Sequence, residues 1–202
     1  FWPYISLDSR GEAIANLLPH LTGGDYGLAR QEDGVLLLQR NRDASANAQA
    51  IATLLSPTYS AAMLRSADSV QQLADAHASW GVAKVNQGKP SGQEGDVGLL
   101  FGPYARMQPG RYLVTYRLKL AEPGLAGRVA TVDVFSHAAG GPLAGADLEA
   151  AQFTAPGRYQ EFAVELEIRE PLPDVEYRVG HSGLGTLAAD SIQVTYLGPL
   201  GG

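Results

Sequence analysis

The feature that most constrains the fold is a series of short extended segments in the second part of the chain, several of which alternate between apolar and polar residues. In the segment 111–120 every second residue is apolar, from Tyr112 to Leu120. A period of two puts alternate side chains on opposite faces of a strand, so one face of each segment is buried. About eight such segments occur: 82–85, 97–101, 111–120, 129–135, 148–153, 159–168, 175–179 and 191–196. Their number and spacing predict a jelly-roll-like β-sandwich.

Turn-forming residues are distributed unevenly and indicate a boundary near Trp80. Of the 24 glycines and 12 prolines, only five glycines and three prolines precede Gly81. We therefore expect a mainly β protein with three parts: a small α/β unit at 1–43, an alanine-rich helical connector at 44–79 and the sandwich at 80–202. The 202 residues are long enough for two such units.

The first part has the pattern strand, helix, hairpin. Residues 4–7 alternate apolar and polar, and a helix with apolar residues at three-to-four spacing follows until Gly23-Gly24 ends it. The runs 26–30 and 35–40 flank Asp33-Gly34, a pair typical of hairpin turns.

The connector contains eleven alanines, which favour helix. Pro57 divides it into predicted helices at 46–55 and 59–67. The segment 67–79 is either a third helix or a solvated linker.

Composition excludes several classes of function. The net charge is −6, with no basic run to neutralise phosphates, so nucleic acid is not an expected partner. No cysteine is present, which excludes disulfides, a thiolate nucleophile and zinc–thiolate sites. No apolar run is long enough to span a membrane as a helix.

No catalytic constellation emerges, so we expect this chain not to be an enzyme. Gly180–Gly185 resembles a nucleophile elbow, but Leu184 stands where glycine is required. The glycine-rich run 140–145 lacks the lysine of a phosphate-binding loop and predicts a turn. Three glutamates at 161, 165 and 167 share one strand face, where they cannot flank a sugar from opposite sides. The four histidines have no metal-ligand spacing.

The remaining candidate chemistry is ligand binding by aromatic and polar side chains near strand ends. Trp80, Tyr104 and Tyr159 lie outside the alternating apolar sets. Their candidate polar companions are Arg106, Arg158 and His181. Aromatic faces with fixed hydrogen-bonding groups are suited to sugars. The alternative is that these side chains only cover the edge of the sandwich.

The segment 24–40, together with the leucine-rich helix before it and Leu55–Ser60 after it, resembles the end of an uncharacterised family of bacterial and archaeal polytopic membrane proteins. That family is thought to be related to lipid-linked-sugar glycosyltransferases, and the resemblance covers residues 1–65. It implies an extracytoplasmic setting beside the membrane-embedded portion of a parent protein. No transferase activity is implied for this piece.

The part from 80 to 198 resembles the jelly-roll sandwiches of carbohydrate-binding modules. The resemblance rests on an ordered series of turn and strand motifs: Gly102–Tyr104, Pro109–Val114, Val132–Val134, Glu176–Val179 and Asp190–Val194. In several such modules an aspartate before the last strand binds structural calcium, and Asp190 holds that place. The acidic pair expected on the first strand has no counterpart, so no cofactor is expected, with calcium at Asp190 as the alternative.

Together these observations predict a non-catalytic, extracytoplasmic accessory region that binds a carbohydrate or cell-envelope glycan and is attached to a membrane glycosyltransferase-like protein. The competing hypothesis is a structural or protein–protein interaction sandwich without a glycan ligand.

Overall fold

Two antiparallel sheets that share one apolar core form most of the chain. The computed structural model describes residues 7–32, 35–40, 42–88 and 95–201. The helices are α1 (Leu7–Thr22) and α2 (Asn47–Leu54). The strands that precede the predicted sandwich are β1 (Tyr26–Glu32), β2 (Val35–Arg40), β3 (Thr58–Ser60) and β4 (Gln71–Ala74). The remaining strands are β5 (Val82–Asn86), β6 (Val97–Leu100), β7 (Pro103–Met107), β8 (Gly110–Leu120), β9 (Arg128–Ser136), β10 (Gly141–Glu149), β11 (Gln160–Ile168), β12 (Leu172–His181) and β13 (Leu187–Gly198).

The strands from β3 onward divide between a five-stranded and a six-stranded sheet. The five-stranded sheet has the order β10-β9-β12-β6, with β7 also paired to β12. The six-stranded sheet has the order β11-β8-β13-β5-β4, with β3 also paired to β13. This arrangement confirms the predicted β-sandwich.

The predicted alternation places the core side chains correctly. Tyr112, Tyr116 and Leu120 of β8 are at most 1% exposed. The inward residues of β12 and β9, among them Tyr177 and Val132, are also buried. Burial of these inward side chains removes apolar area from water and stabilises the sandwich.

The N-terminal unit contains the predicted helix and hairpin. α1 ends where Gly23 N–H donates to the Pro19 carbonyl at 2.8 Å, and β1 pairs with β2 as predicted. Buried Asn47 joins α1 to the hairpin, since its amide donates to the carbonyls of Leu21 at 2.8 Å and Tyr26 at 2.7 Å. Of the strand predicted at 4–7, Leu7 lies in α1 and the rest lies outside the described residues. No helix in the described part of the chain is long and apolar enough to cross a membrane.

The predicted connector is only partly helical, and the sandwich begins before the boundary predicted near residue 80. α2 confirms the first helix, but the second, predicted at 59–67, is wrong. There β3 pairs with β13, and a short 3₁₀ turn follows at Ala61–Met63. Tyr59 is 4% exposed, with its ring 5.7 Å from that of Tyr177, so burial and sheet pairing outweigh local helix propensity.

The segment 67–79 is neither a third helix nor a free linker. It contains β4, which pairs with β5 along its whole length. The sandwich therefore begins near residue 58, and the second half of the predicted connector belongs to the six-stranded sheet.

One strand of the five-stranded sheet begins and ends earlier in the chain than the sequence predicts. The glycine-rich segment 140–145, predicted as a turn, begins β10, and the strand predicted at 148–153 ends at Glu149. A Cβ at Gly145 would lie 2.9 Å from the Asp133 side chain, so glycine lets β10 approach β9 closely.

Candidate functional site

The loop between β4 and β5 carries the most exposed aromatic side chain of the described chain. We call residues 75–81 the Trp80 loop. Its ends are joined by a hydrogen bond of 2.9 Å from Asp75 N–H to the Gly81 carbonyl. Gly81 has φ +72°, a conformation that glycine adopts without steric cost. Trp80 is 52% exposed, and every other described Trp, Tyr or Phe side chain is half-buried or buried.

Trp80 forms one wall of a cleft on the outer face of the six-stranded sheet. This Trp80 cleft has a volume of about 300 Å³. Its lining is mainly polar and comprises Thr58, Ser79, Trp80, Thr115, Arg117, Glu161, Ser191 and Gln193. Hydroxyl, amide and carboxylate groups thus lie beside one exposed indole ring.

Arg117 connects the cleft to Tyr159. Its guanidinium carbon lies 4.5 Å from the centre of the Tyr159 ring, and Lys119 Nζ lies 4.7 Å from the same centre. Both distances are typical of cation–π contacts. Tyr159 also packs on a small apolar cluster of Ala78, Ala83 and Ala188 beneath the loop.

Asp190 lies completely buried below the loop. The register of β13 against β8 shifts between Ala189 and Ser191, which makes Asp190 a bulge residue. Its carboxylate accepts hydrogen bonds from Ser79 N–H at 2.9 Å and Ser79 Oγ at 2.7 Å, and forms an ion pair with Arg117.

The surroundings of Asp190 do not fit a calcium ion. Calcium takes roughly six to eight oxygen ligands. The Asp190 carboxylate instead faces N–H and O–H donors and the Arg117 cation. The described residues contain no group of three or more His, Cys, Asp or Glu side chains able to hold a metal. The calcium role implied for Asp190 by the resemblance therefore has no support in this geometry.

A second carboxylate holds the other end of the loop. Asp75 forms an ion pair with Lys119 and accepts hydrogen bonds from the Tyr159 hydroxyl at 2.9 Å and His77 N–H at 2.9 Å. Lys119 beside it lowers the pKa of Asp75 to about 2. Burial and the bond to Asp75 raise the pKa of the Tyr159 hydroxyl well above its usual range, so Tyr159 remains a neutral donor.

The structure brings only two of the six predicted ligand-binding residues together. Trp80 lines the same cleft as Arg117, and the Tyr159 ring packs on Arg117. Tyr104 and Arg106 lie on β7, in the other sheet. Arg158 is exposed but does not line the Trp80 cleft.

His181 is removed from the set of ligand-binding candidates because it is fully buried. Its Nδ1 lies 2.8 Å from Asn86 Oδ1, and its Nε2 lies 3.3 Å from the Leu184 carbonyl oxygen. A side chain enclosed in this way joins β12 to β5 and cannot reach a ligand on the surface.

Most residues of the Trp80 cleft could not be predicted from the sequence. Thr115 and Arg117 occupy the polar positions of the β8 alternation, and Ser191 and Gln193 occupy those of β13. Their positions in the alternation predict that these four side chains point away from the core. Which outward residues share one cleft depends on the pairing of β8 with β13 and on the loop that folds over them.

A second groove crosses the outer face of the five-stranded sheet. This Gly98 groove has a volume of about 440 Å³, and Gly98 and Gly180 are among its lining residues. Asp133 and Arg178 form two hydrogen bonds of 2.7 Å in it, and the Arg178 guanidinium carbon lies 3.9 Å from the centre of the Phe135 ring. Its principal charged pair is therefore internally neutralised, and the guanidinium covers the nearby ring.

Comparison with known proteins finds similarity in structure but not in sequence. No protein-family profile and no curated protein sequence matches the chain. The family 35 carbohydrate-binding module of Clostridium thermocellum is 19% identical and has a TM-score of 0.49, over 69% of this chain and 98% of that one. The Cellvibrio mixtus lichenase 5A module, solved with cellotriose, is 12% identical with a TM-score of 0.46, over 69% of this chain and 95% of that one.

Arthrobacter globiformis T6 isomalto-dextranase, solved with panose, reaches a TM-score of 0.50 at 13% identity. The match covers 69% of this chain and 23% of that enzyme. At such identities the similarity shows a shared sandwich fold. The location and chemistry of a site in this chain must be argued from its own residues.

Proposed function

We propose that this chain is a non-catalytic carbohydrate-binding unit and that the saccharide binds in the Trp80 cleft. The observation that carries the proposal is the exposed indole of Trp80 beside a polar floor. Sugar rings present apolar faces that pack on aromatic rings and hydroxyls that need hydrogen-bond partners. Thr58, Thr115 and Gln193 supply donors and acceptors for those hydroxyls.

The Trp80 cleft supports this function better than the Gly98 groove does. Among the residues that the structure describes, no exposed Trp, Tyr or Phe ring lines the groove, and Arg178 covers Phe135. A sugar in the groove would have to compete with existing ion pairs for its hydrogen bonds. In the Trp80 cleft the indole ring is already open to a ligand.

The biological setting in this proposal is extracytoplasmic, with the chain attached to a membrane glycosyltransferase-like parent protein. The support is the resemblance of residues 1–65 to the membrane protein family. The glycan partner would then be a cell-envelope or extracellular saccharide.

Isothermal titration calorimetry with cellotriose, panose and a wider panel of neutral and acidic oligosaccharides tests the proposal. We expect saturable binding of at least one saccharide, and Trp80→Ala should weaken it by about tenfold or more, as removal of an aromatic anchor does. Met63→Ala is the matched control, since Met63 is also 52% exposed but lies outside the cleft.

Two outcomes would contradict the proposal. Absence of saturable binding to every saccharide at millimolar concentration would favour the structural or protein-interaction alternative. Binding that survives Trp80→Ala but is lost when Gly98→Ala adds a methyl group to the groove would move the site to the other sheet. The added Cβ would lie 3.5 Å from the Phe101 ring, an ordinary contact that the fold tolerates.

A further inference from the structure

The Trp80 loop is held onto the sheet by a buried ion pair, although the loop itself is exposed. Ser79, the residue before Trp80, donates both its N–H and its hydroxyl to the Asp190 carboxylate. Asp190 is 0% exposed. A buried carboxylate requires a compensating positive charge or several hydrogen bonds.

Arg117 provides that charge and contacts the loop at the same time. Its Nη1 pairs with Asp190 and lies 3.2 Å from Ser79 Oγ. Nη1 and Nη2 each donate to the His77 carbonyl at 3.3 Å. The planar guanidinium therefore bonds one carboxylate and two loop residues together, a geometry that a lysine ammonium reproduces poorly.

We propose that Asp190 and Arg117 are positioning residues that fix the Trp80 loop before a ligand arrives, and that the guanidinium supplies the positive charge that a bound cation would otherwise supply beside Asp190. A loop that is ordered in advance pays less conformational entropy on binding. The statement about ligand affinity rests on the proposed function, whereas the statement about the loop does not.

Fluorescence of Trp80 measures the state of the loop directly. The chain has two tryptophans, so Trp2→Phe makes Trp80 the only one. In this background we expect Arg117→Ala and Asp190→Asn to raise acrylamide quenching and lower the anisotropy of Trp80. Arg117→Lys should give an intermediate result, because lysine keeps the positive charge but lacks the several N–H donors of the planar guanidinium. Neither EDTA nor Ca²⁺ should change the Trp80 fluorescence of the Trp2→Phe protein without further substitutions.

Arg169→Ala is the matched control. It removes an arginine from an exposed ion pair with Glu167, at 3.1 Å, on the same sheet. We expect no change in Trp80 fluorescence for this variant. If Arg117→Ala fails to fold by far-ultraviolet circular dichroism, Ser79→Ala is the second variant. It keeps the ion pair, removes the Ser79 hydroxyl bond to Asp190, and should produce the same change at smaller amplitude.

The affinity arm separates this proposal from the proposed function. For a saccharide that binds the unsubstituted chain, Asp190→Asn should weaken binding by about three- to tenfold, the cost of ordering one or two additional side chains. Asp190 is buried and does not line the Trp80 cleft, so this loss cannot come from a direct contact with the saccharide. If the unsubstituted chain binds no saccharide, the proposed function is wrong. The fluorescence measurements still test whether Asp190 and Arg117 fix the Trp80 loop. The loop proposal is wrong if Arg117→Ala gives the same Trp80 quenching and anisotropy as Arg169→Ala. It is also wrong if Ca²⁺ changes the Trp80 fluorescence of the Trp2→Phe protein.

Discussion

The outer faces of the two sheets both carry arginine–aspartate pairs, but the pairs differ in what lies above them. On the five-stranded sheet, the side chains of Arg178 and Asp133 are 35% and 18% exposed. On the six-stranded sheet, Arg117 is 29% exposed and Asp190 is 0% exposed, because the Trp80 loop covers the pair. One pair forms part of an open groove, whereas the other supports a loop that presents an aromatic ring. Charge alone therefore does not locate a site on this sandwich.

The difference in burial predicts the largest contrast in stability. Arg117→Ala leaves a buried carboxylate without its cation and should lower the free energy of unfolding by about 3–5 kcal/mol. Arg178→Ala disrupts a partly solvated pair and should cost about 1 kcal/mol, since water screens the remaining charge. Urea unfolding of both variants measures the contrast. Equal losses would show that the loop does not shield its ion pair from solvent.

Acid should weaken the six-stranded face through Asp75. Because its pKa falls from 3.8 to about 2 on folding, this carboxylate stabilises the native state fully above about pH 5, and the contribution is lost progressively as the pH falls through about 2. The contribution is about 2 kcal/mol. The free energy of unfolding of the unsubstituted chain should therefore fall more steeply between pH 4 and 2 than that of Asp75→Asn. Parallel curves would contradict the assignment, since other acidic groups titrate in both proteins.

The sequence predicted the faces of the strands better than the connections between them. Alternation in β8 and β13 identifies Tyr116 and Ile192 as core residues, and both are 0% exposed. The same alternation places Asp190 in phase with Ile192, towards the core. The bulge that redirects Asp190 depends on the pairing of β13 with β8. The alternation of residues within one strand does not predict such a bulge.

The Trp80 loop and β3 show a second reason why some elements and contacts could not be predicted from the sequence. Alanine-rich composition favours helix locally, yet Tyr59 and Leu64 are buried by partners distant in sequence. Trp80 was identified because a tryptophan outside an apolar stripe has no core to enter. Its partners Asp75 and Arg117 were missed because each is ordinary in its own segment. Only the folded sheet brings Arg117 to Ser79, which is 38 residues away along the chain, and Lys119 to Asp75, which is 44 residues away.

The central proposal is that a saccharide binds on the outer face of the six-stranded sheet beside Trp80. Nuclear magnetic resonance titration of isotopically labelled protein with a saccharide that binds in calorimetry tests it most directly. We predict that chemical-shift changes centre on the Trp80 indole N–H, the Gln193 side-chain amide and the backbone of Ser79. Changes centred instead on Gly98 and Gly180, with the Trp80 indole unaffected, would contradict the account.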